Sequence, residues 1–241
     1  MAANKNVTKS TMNKEDNVMS KEIKLVSAAK FTKETGIKIS TLSGKMLNVR
    51  AISTYAGDNP SCLALMKDKG NVCSHCYAYK QVKSGMYPDQ RTCLERNGKA
   101  LTKGLLEIVP NLTKLKNHEV FRIESHGDVI NEIHARNYIR IVRANPSIKF
   151  AAFTKRPLIW KVALEKEGGK PDNLNLVYSS PRLNKPETDI RKSFPFFDVV
   201  FTVYEKGADT NGDFPCSCGP ESCNKCRFCY TKKGNVAEKL R

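Results

Sequence analysis

From residue 119 onward the chain alternates between short apolar runs and amphipathic stretches. Residues 120–125 (VFRIES), 149–154 (KFAAFT), 174–179 (LNLVYS) and 198–203 (DVVFTV) are rich in β-branched and aromatic side chains and apolar nearly throughout. Such runs fit parallel strands covered on both faces, whose side chains need not alternate toward water. Between the first two, residues 131–144 read as a helix, with Ile130, Tyr138, Ile141 and Val142 on one apolar face and His134 among them. A histidine in that setting reads as a satisfied core residue rather than a ligand. Pro157 suits the first turn of a further helix, which Gly168 and Gly169 stop. A short helical piece is expected over residues 187–193. Upstream, residues 46–53 (MLNVRAIS) alternate well enough for a first strand. Asp89, behind Pro88, can cap a helix with Leu94, Leu101, Leu105 and Ile108 on one face.

This alternation with short connections predicts one α/β domain over residues 26–232, with right-handed crossovers. Five strands are too few for a closed eight-stranded barrel, so a partial (β/α) barrel or an open parallel sheet is expected. In either form, chemistry gathers at the carboxyl ends of the strands. Residues 1–25 are polar and basic without hydrophobic period and read as a disordered arm; residues 233–241 read as a polar tail. No apolar run approaches the roughly 20 residues needed to span a bilayer. The amino-terminal stretch also lacks the apolar centre of a signal peptide. The expectation is a cytoplasmic protein with no membrane partner.

Nine cysteines sharpen this picture. In a reducing cytoplasm they read as metal ligands rather than disulfides, and their odd number agrees. Cys62, Cys73 and Cys76 lie in the loop after the first strand, with Tyr77 directly behind. Cys216, Cys218, Cys223, Cys226 and Cys229 follow the last strand, so both groups are expected on the same carboxyl-end face. Two residues between cysteines let the backbone turn both sulfurs toward one metal. Three cysteines without a local fourth suggest a [4Fe–4S] cluster with one iron open to substrate or cofactor. The run from Cys223 to Cys229 matches the C-x2-C-x2-C spacing of bacterial-type ferredoxins. Structural zinc is the rival, but eight cysteines in two groups exceed what one zinc uses, which favours one or two iron–sulfur clusters. Cys93 reads as a buried small side chain, with a fourth-ligand role as the alternative. Cys218 is the member left out of the C-terminal ligand set.

Other loops on that face add candidates. In Ser125-His126-Gly127-Asp128 the glycine permits a tight turn, and His126 and Asp128 could bind a cofactor or move protons. The plainer alternative is that Asp128 caps the next helix. Lys155 and Arg156, beside a helix N-terminus, suit a carboxylate or phosphate, or form an exposed basic turn. The net charge of +17, from 41 Lys+Arg against 24 Asp+Glu, favours an anionic partner, nucleic acid or a nucleotide first. The lysines are scattered, which suits a solvated basic surface equally well.

The cysteine loop ending in Cys76-Tyr77-Ala78, the segment between Phe121 and Arg156, and the terminal group ending in Cys229-Tyr230 together resemble the phage gene product 88 family, in that family's order. The resemblance covers about residues 45–232. A more distant resemblance is to the radical SAM superfamily, whose partial barrel carries its cluster in the loop after the first strand. It implies that Cys62, Cys73 and Cys76 bind a [4Fe–4S] cluster whose open iron chelates S-adenosylmethionine, with Tyr77, Ser125, Gly127 and Asp128 around the cofactor. Asp128, His126, Lys155 and Arg156 would then position cofactor or substrate. Cys216, Cys223, Cys226 and Cys229 would hold an auxiliary cluster or complete a shared one. The chain departs from that superfamily in two places. Ten residues separate Cys62 from Cys73, where three are usual, and Ser125-His126-Gly127-Asp128 stands where a Gly-Gly-Glu segment is usual. The expected function is thus an iron–sulfur enzyme of a phage, in the host cytoplasm, acting on an anionic or nucleic-acid-related substrate with electrons from a host donor. The alternatives are a zinc-stapled nucleic-acid-binding protein and a [4Fe–4S] enzyme that does not use S-adenosylmethionine.

Overall fold

A computed structural model describes residues 23–85, 88–116, 119–216 and 222–240. Most of the expected arm, residues 1–22, lies outside the described residues, as does Cys218. In chain order the elements are β1 (Lys24–Ser27), α1 (Ala28–Thr35), β2 (Ser40–Thr41), β3 (Arg50–Ile52), α2 (Pro60–Lys67), α3 (Tyr77–Lys83), α4 (Pro88–Lys103) and β4 (Ile108–Asn111). There follow β5 (Val120–Ile123), α5 (Glu132–Arg143), β6 (Lys149–Thr154), α6 (Pro157–Lys166), β7 (Leu174–Ser179), α7 (Ile190–Ser193) and β8 (Phe197–Tyr204). The chain closes with β9 (Phe214–Pro215), α8 (Ser222–Cys226), α9 (Phe228–Thr231) and β10 (Gly234–Lys239).

Local sequence sets most of these boundaries. Asn131 caps α5, its Oδ1 accepting from the His134 N–H at 2.9 Å. Pro157 occupies the first turn of α6, whose end is enforced by Gly168 and Gly169 at φ 73° and 102°, a backbone region that side chains with a Cβ resist.

The main sheet has eight strands in the order β2-β3-β5-β6-β7-β8-β10-β9. β2 is antiparallel to β3, and all other neighbours are parallel. With β2 and β9 as separate edges the sheet is open, not a closed barrel. β1 and β4 form a separate parallel pair.

Both faces are buried, as the continuous apolar strands require. On one face Phe121, Ile123, Phe150, Ala152, Leu176 and Val200 pack with Tyr138 and Ile141 of α5 and Trp160 and Leu164 of α6. Each fully buried side chain of this size contributes about 1.5–3 kcal/mol. On the other, inner face Ala51, Val120, Ala151, Val177, Val199 and Val236 pack with Tyr230, Phe228 and Cys229 from the C-terminal cysteine segment.

Four expectations change. Lys24 and Leu25, assigned to the arm, begin β1 and pair with Ile108 and Val109. Ile108 therefore belongs to a strand and not to the helix before it, which ends at Lys103. The stretch read as a polar tail supplies β10, paired along its length with β8. The strand expected over residues 46–53 is confined to Arg50–Ile52, because Gly44–Met46 turns as a 3₁₀ helix.

Candidate functional site

A cavity of about 900 Å³ opens at the carboxyl ends of β3, β5, β6 and β7 and continues over the inner sheet face. Both cysteine groups line it. Cys62 lies on α2, Cys73 in a 3₁₀ turn, and Cys76 immediately before α3. Short polar side chains hold this loop. The Asn59 side chain accepts from the Ser61 N–H at 3.0 Å and donates to the Asp128 carbonyl at 2.9 Å. Asn71 accepts from the Cys73 N–H at 2.9 Å, and the Val72 N–H donates to the Pro181 carbonyl at 2.7 Å. Cys76 Sγ accepts from the Tyr79 N–H at 3.4 Å and so caps α3.

The turn after β5 packs directly on this loop. Asp128 Oδ1 accepts from the Val129 N–H and Thr154 Oγ1, both at 2.7 Å, and Oδ2 accepts from the Lys155 N–H at 2.7 Å. Burial pushes this carboxyl up to about 6, although those hydrogen bonds favour its charged form. Asp128 therefore joins two loops; the cap of the next helix is Asn131. Lys155 Nζ donates to Ser179 Oγ at 2.7 Å and reaches the Cys73 thiol. Arg156 is turned away to Ser61 Oγ, where it pins α2. His126 Nδ1 lies 2.8 Å from Ser125 Oγ and its Nε2 3.0 Å from Gln90 Nε2, and burial holds the imidazole below its ordinary pKa. Ser125 is fixed by Ser53, and the half-exposed Tyr77 brings its hydroxyl to 3.5 Å from the Ser125 carbonyl.

Gly127 is required by close approach. A Cβ there would lie 2.7 Å from the Thr54 carbonyl and hydroxyl oxygens and 3.0 Å from Glu124 Oε2. Gly127→Ala should destabilise the fold by about 1–3 kcal/mol, the usual cost of forcing atoms into a packed site. Urea denaturation checks this, and an unchanged midpoint would show that the turn is free to relax.

Beneath the turn is a network that the sequence does not signal. Glu124 has a left-handed backbone, φ 54°, and a fully buried carboxylate. That carboxylate accepts from the Thr54 N–H and hydroxyl at 3.0 Å and from the Tyr138 hydroxyl at 2.8 Å; His134 Nε2 lies 3.3 Å away. His134 is thus a buried core residue, as its helix face suggested.

The C-terminal cysteines sit elsewhere than expected. Cys223 and Cys226 lie on α8 and Cys229 on α9, with Arg227 between them at φ 51°. α9 packs on β6 and β7. The Lys232 carbonyl accepts from Asn175, the second residue of β7, at 2.8 Å, and Arg227 pairs with Glu119, which precedes β5. These anchors are at the amino ends of the strands, so this group does not share the carboxyl-end face. The reason is topological: the cysteine segment feeds β10, which runs parallel to β8, and a chain enters a parallel strand at its amino end.

Cys216 lies toward the far end of β10. Its N–H donates to the Ala237 carbonyl at 2.8 Å and its thiol meets Lys45 Nζ at 3.3 Å, beside Glu238. Burial pushes the thiols of Cys216 and Cys229 up to about 12. Burial also raises Cys62, Cys73 and Cys223. Cys62 and Cys73 are influenced by Asp128 and Lys155, whereas Cys223 and Cys229 are influenced by Lys45 and Arg122. One cavity therefore contains two electrostatic neighbourhoods. Among the described residues no three His, Cys, Asp or Glu side chains stand close enough to grip one metal ion. Cys93 is buried on α4 at the cavity wall.

The family model described as Gene product 88 matches residues 18–232. The chain belongs to the Gene product 88 family. No curated protein and no solved structure matches it. For this family member, no helix among the described residues is long and apolar enough to cross a membrane.

Proposed function

We propose that this Gene product 88 protein is an iron–sulfur enzyme of radical SAM-like architecture acting on an anionic substrate. One observation carries the reading: Cys62, Cys73 and Cys76 line one cavity with the Ser125-His126-Gly127-Asp128 turn and Lys155, at the carboxyl ends of parallel strands. The donor set suits the group, since three thiols on two short helical segments and a turn, with no fourth cysteine on that loop, match a [4Fe–4S] cluster keeping one iron open. When bound, such a cluster supplies the electron for reductive cleavage of S-adenosylmethionine.

The chain's own residues would do the rest. Lys155, beside Cys73 and held by Ser179, would offset the negative charge of the thiolates. Asp128 fixes the Lys155 backbone and, through Asn59, the start of α2. Ser125 and Gly127 shape a backbone ledge beside Tyr77, where a cofactor carboxylate or ribose would be held. His126, hydrogen-bonded on both ring nitrogens, would hold that ledge rather than move a proton. Because the buried thiols must lose their protons to bind metal, loading should be favoured as pH rises.

The test is iron and acid-labile sulfide on protein purified without oxygen, followed by S-adenosylmethionine cleavage under strong reductant. Iron near four per chain would correspond to one cluster and near eight to two. A cluster that leaves S-adenosylmethionine intact would favour an enzyme using its open iron without that cofactor. Colourless protein with zinc and no sulfide would end the redox reading. It would favour a zinc-stapled nucleic-acid-binding protein, to which the net charge of +17 already points.

A further inference from the structure

Arg122, in the middle of β5, projects from the inner sheet face into the cavity beside Cys223 and Cys229. Its Nε donates to the Glu124 carbonyl at 3.2 Å, and its guanidinium carbon lies 3.1 Å from the centre of the Phe153 ring. Among the described residues it has no carboxylate partner. Two other cations on the same cavity are neutralised, Lys45 by Glu238 and Arg227 by Glu119, and Lys155 is held by Ser179. A half-buried guanidinium with unspent terminal donors is costly unless an acceptor comes to it.

A second observation points to the same spot. Tyr230 is 4 % exposed, and its hydroxyl, beside the Arg122 guanidinium, has no well-formed hydrogen bond to any described residue. Tyr230 also lines the cavity. The guanidinium interacts with that hydroxyl, whose own proton meets no acceptor among the described residues. Next to them Phe153 and Phe201 form an aromatic floor, their rings 5.2 Å apart and edge-on. The cavity is of the size that takes a small molecule.

We infer that Arg122 and Tyr230 form the anion-binding end of a substrate site, taking the carboxylate or phosphate of a small molecule whose planar or apolar body lies against Phe153 and Phe201. The planar fork of arginine, held over Phe153, carries paired N–H donors of the kind that either oxyanion accepts. As a substrate site this rests on reading the cavity as an active site; as an anion site it requires neither metal nor S-adenosylmethionine. The rival is that Arg122 serves only the neighbouring thiols of Cys223 and Cys229.

Calorimetric titration of the purified full-length chain, with its metal content measured in parallel, tests the inference. The probes are phenyl phosphate and benzoate, which separate the phosphate and carboxylate sources, and phenol as the uncharged control. One of the two anions should bind, and phenol should bind at least about tenfold more weakly. Arg122→Gln should weaken the anion by about tenfold or more, and Tyr230→Phe by about five- to tenfold. Arg122→Lys, which keeps the charge but loses the fork, should fall between wild type and Arg122→Gln and guards against a misfolded Gln variant. The inference is overturned if neither anion binds, if both Arg122 variants bind as wild type does, or if Arg122→Gln lowers metal content and leaves affinity unchanged. Anion binding by protein that holds no iron would sustain this inference while removing the redox reading. A cluster that cleaves S-adenosylmethionine in protein that binds neither probe would do the reverse.

Discussion

Cys73→Ala should yield folded protein that lacks the cluster proposed for its first cysteine group and cleaves no S-adenosylmethionine above the protein-free rate. Little stability is expected to go with it, because Cys73 is half-buried in a loop turn and packs in no core cluster. The expected loss is about four irons per chain with matching sulfide, as one [4Fe–4S] cluster requires. Cys226→Ala is the informative partner. Its thiol is exposed on α8, in the neighbourhood set by Lys45 and Arg122 rather than by Lys155 and Asp128. It should remove the metal of the second group and leave the first loaded. Iron and sulfide analysis with absorption spectra on anaerobic protein reads both. If either substitution empties both groups, they share one cluster and the two-neighbourhood reading is wrong. If Cys73→Ala retains all its iron, the first loop is not a ligand loop.

The largest effect on stability is expected at Glu124. Glu124→Gln places an amide nitrogen where a carboxylate oxygen accepts from Thr54 or Tyr138, so at least one buried donor loses its acceptor. A loss of about 3 kcal/mol follows from stranding one or two such groups. The pH dependence has a definite sign. Burial alone would raise this carboxyl, but His134, Thr54 and Tyr138 together outweigh it and hold it below its ordinary value of 4.5. Its contribution is therefore fully present above about pH 4.5 and is lost as pH falls through the lower folded value. Asp128 acts oppositely: its raised value means that stability falls as pH rises toward about 6. Asp128 is common to both proteins and cancels in their difference. Urea denaturation from pH 7 to pH 3 should thus show the wild type ahead by a constant amount at neutral pH, with the gap closing in acid. A gap that stays flat into acid would mean that the Glu124 carboxyl titrates alike in the folded and unfolded chain, and a gap that widens in acid that it is held protonated in the native state.

Much of the architecture is legible in the chain itself. β6 and β7 have the boundaries expected from their apolar runs, α6 is one residue shorter than expected at its end, and α5 is one residue shorter at each end. These segments are read easily because local pattern and tertiary burial agree: both sheet faces are covered, so the strands are apolar throughout. That Cys62, Cys73 and Cys76 share a cavity with the turn after β5 was also legible, because cysteine spacing and a glycine-containing turn after a strand are local signals. Their roles were less so. Asp128 and Arg156 spend their polar atoms holding loops together, a use no spacing reveals.

What the sequence by itself determined is therefore the α/β alternation, the two cysteine groups, and the approach of the first group to the turn after β5. Only the tertiary structure decided where the second group lies. β10 reads as a polar tail because GNVAEK offers only Val236 and Ala237 to the core, and its Glu238 is offset by Lys45 from a segment 193 residues away in the chain. Once that strand enters the sheet parallel to β8, Cys223, Cys226 and Cys229 must lie at its amino end. Arg122 and Glu124 show the same limit. Side chains two residues apart in a strand normally share a face. The left-handed turn at Glu124 breaks that rule, sending its carboxylate to α5 and leaving Arg122 in the cavity, and a pattern of polar and apolar letters carries no record of that dihedral angle.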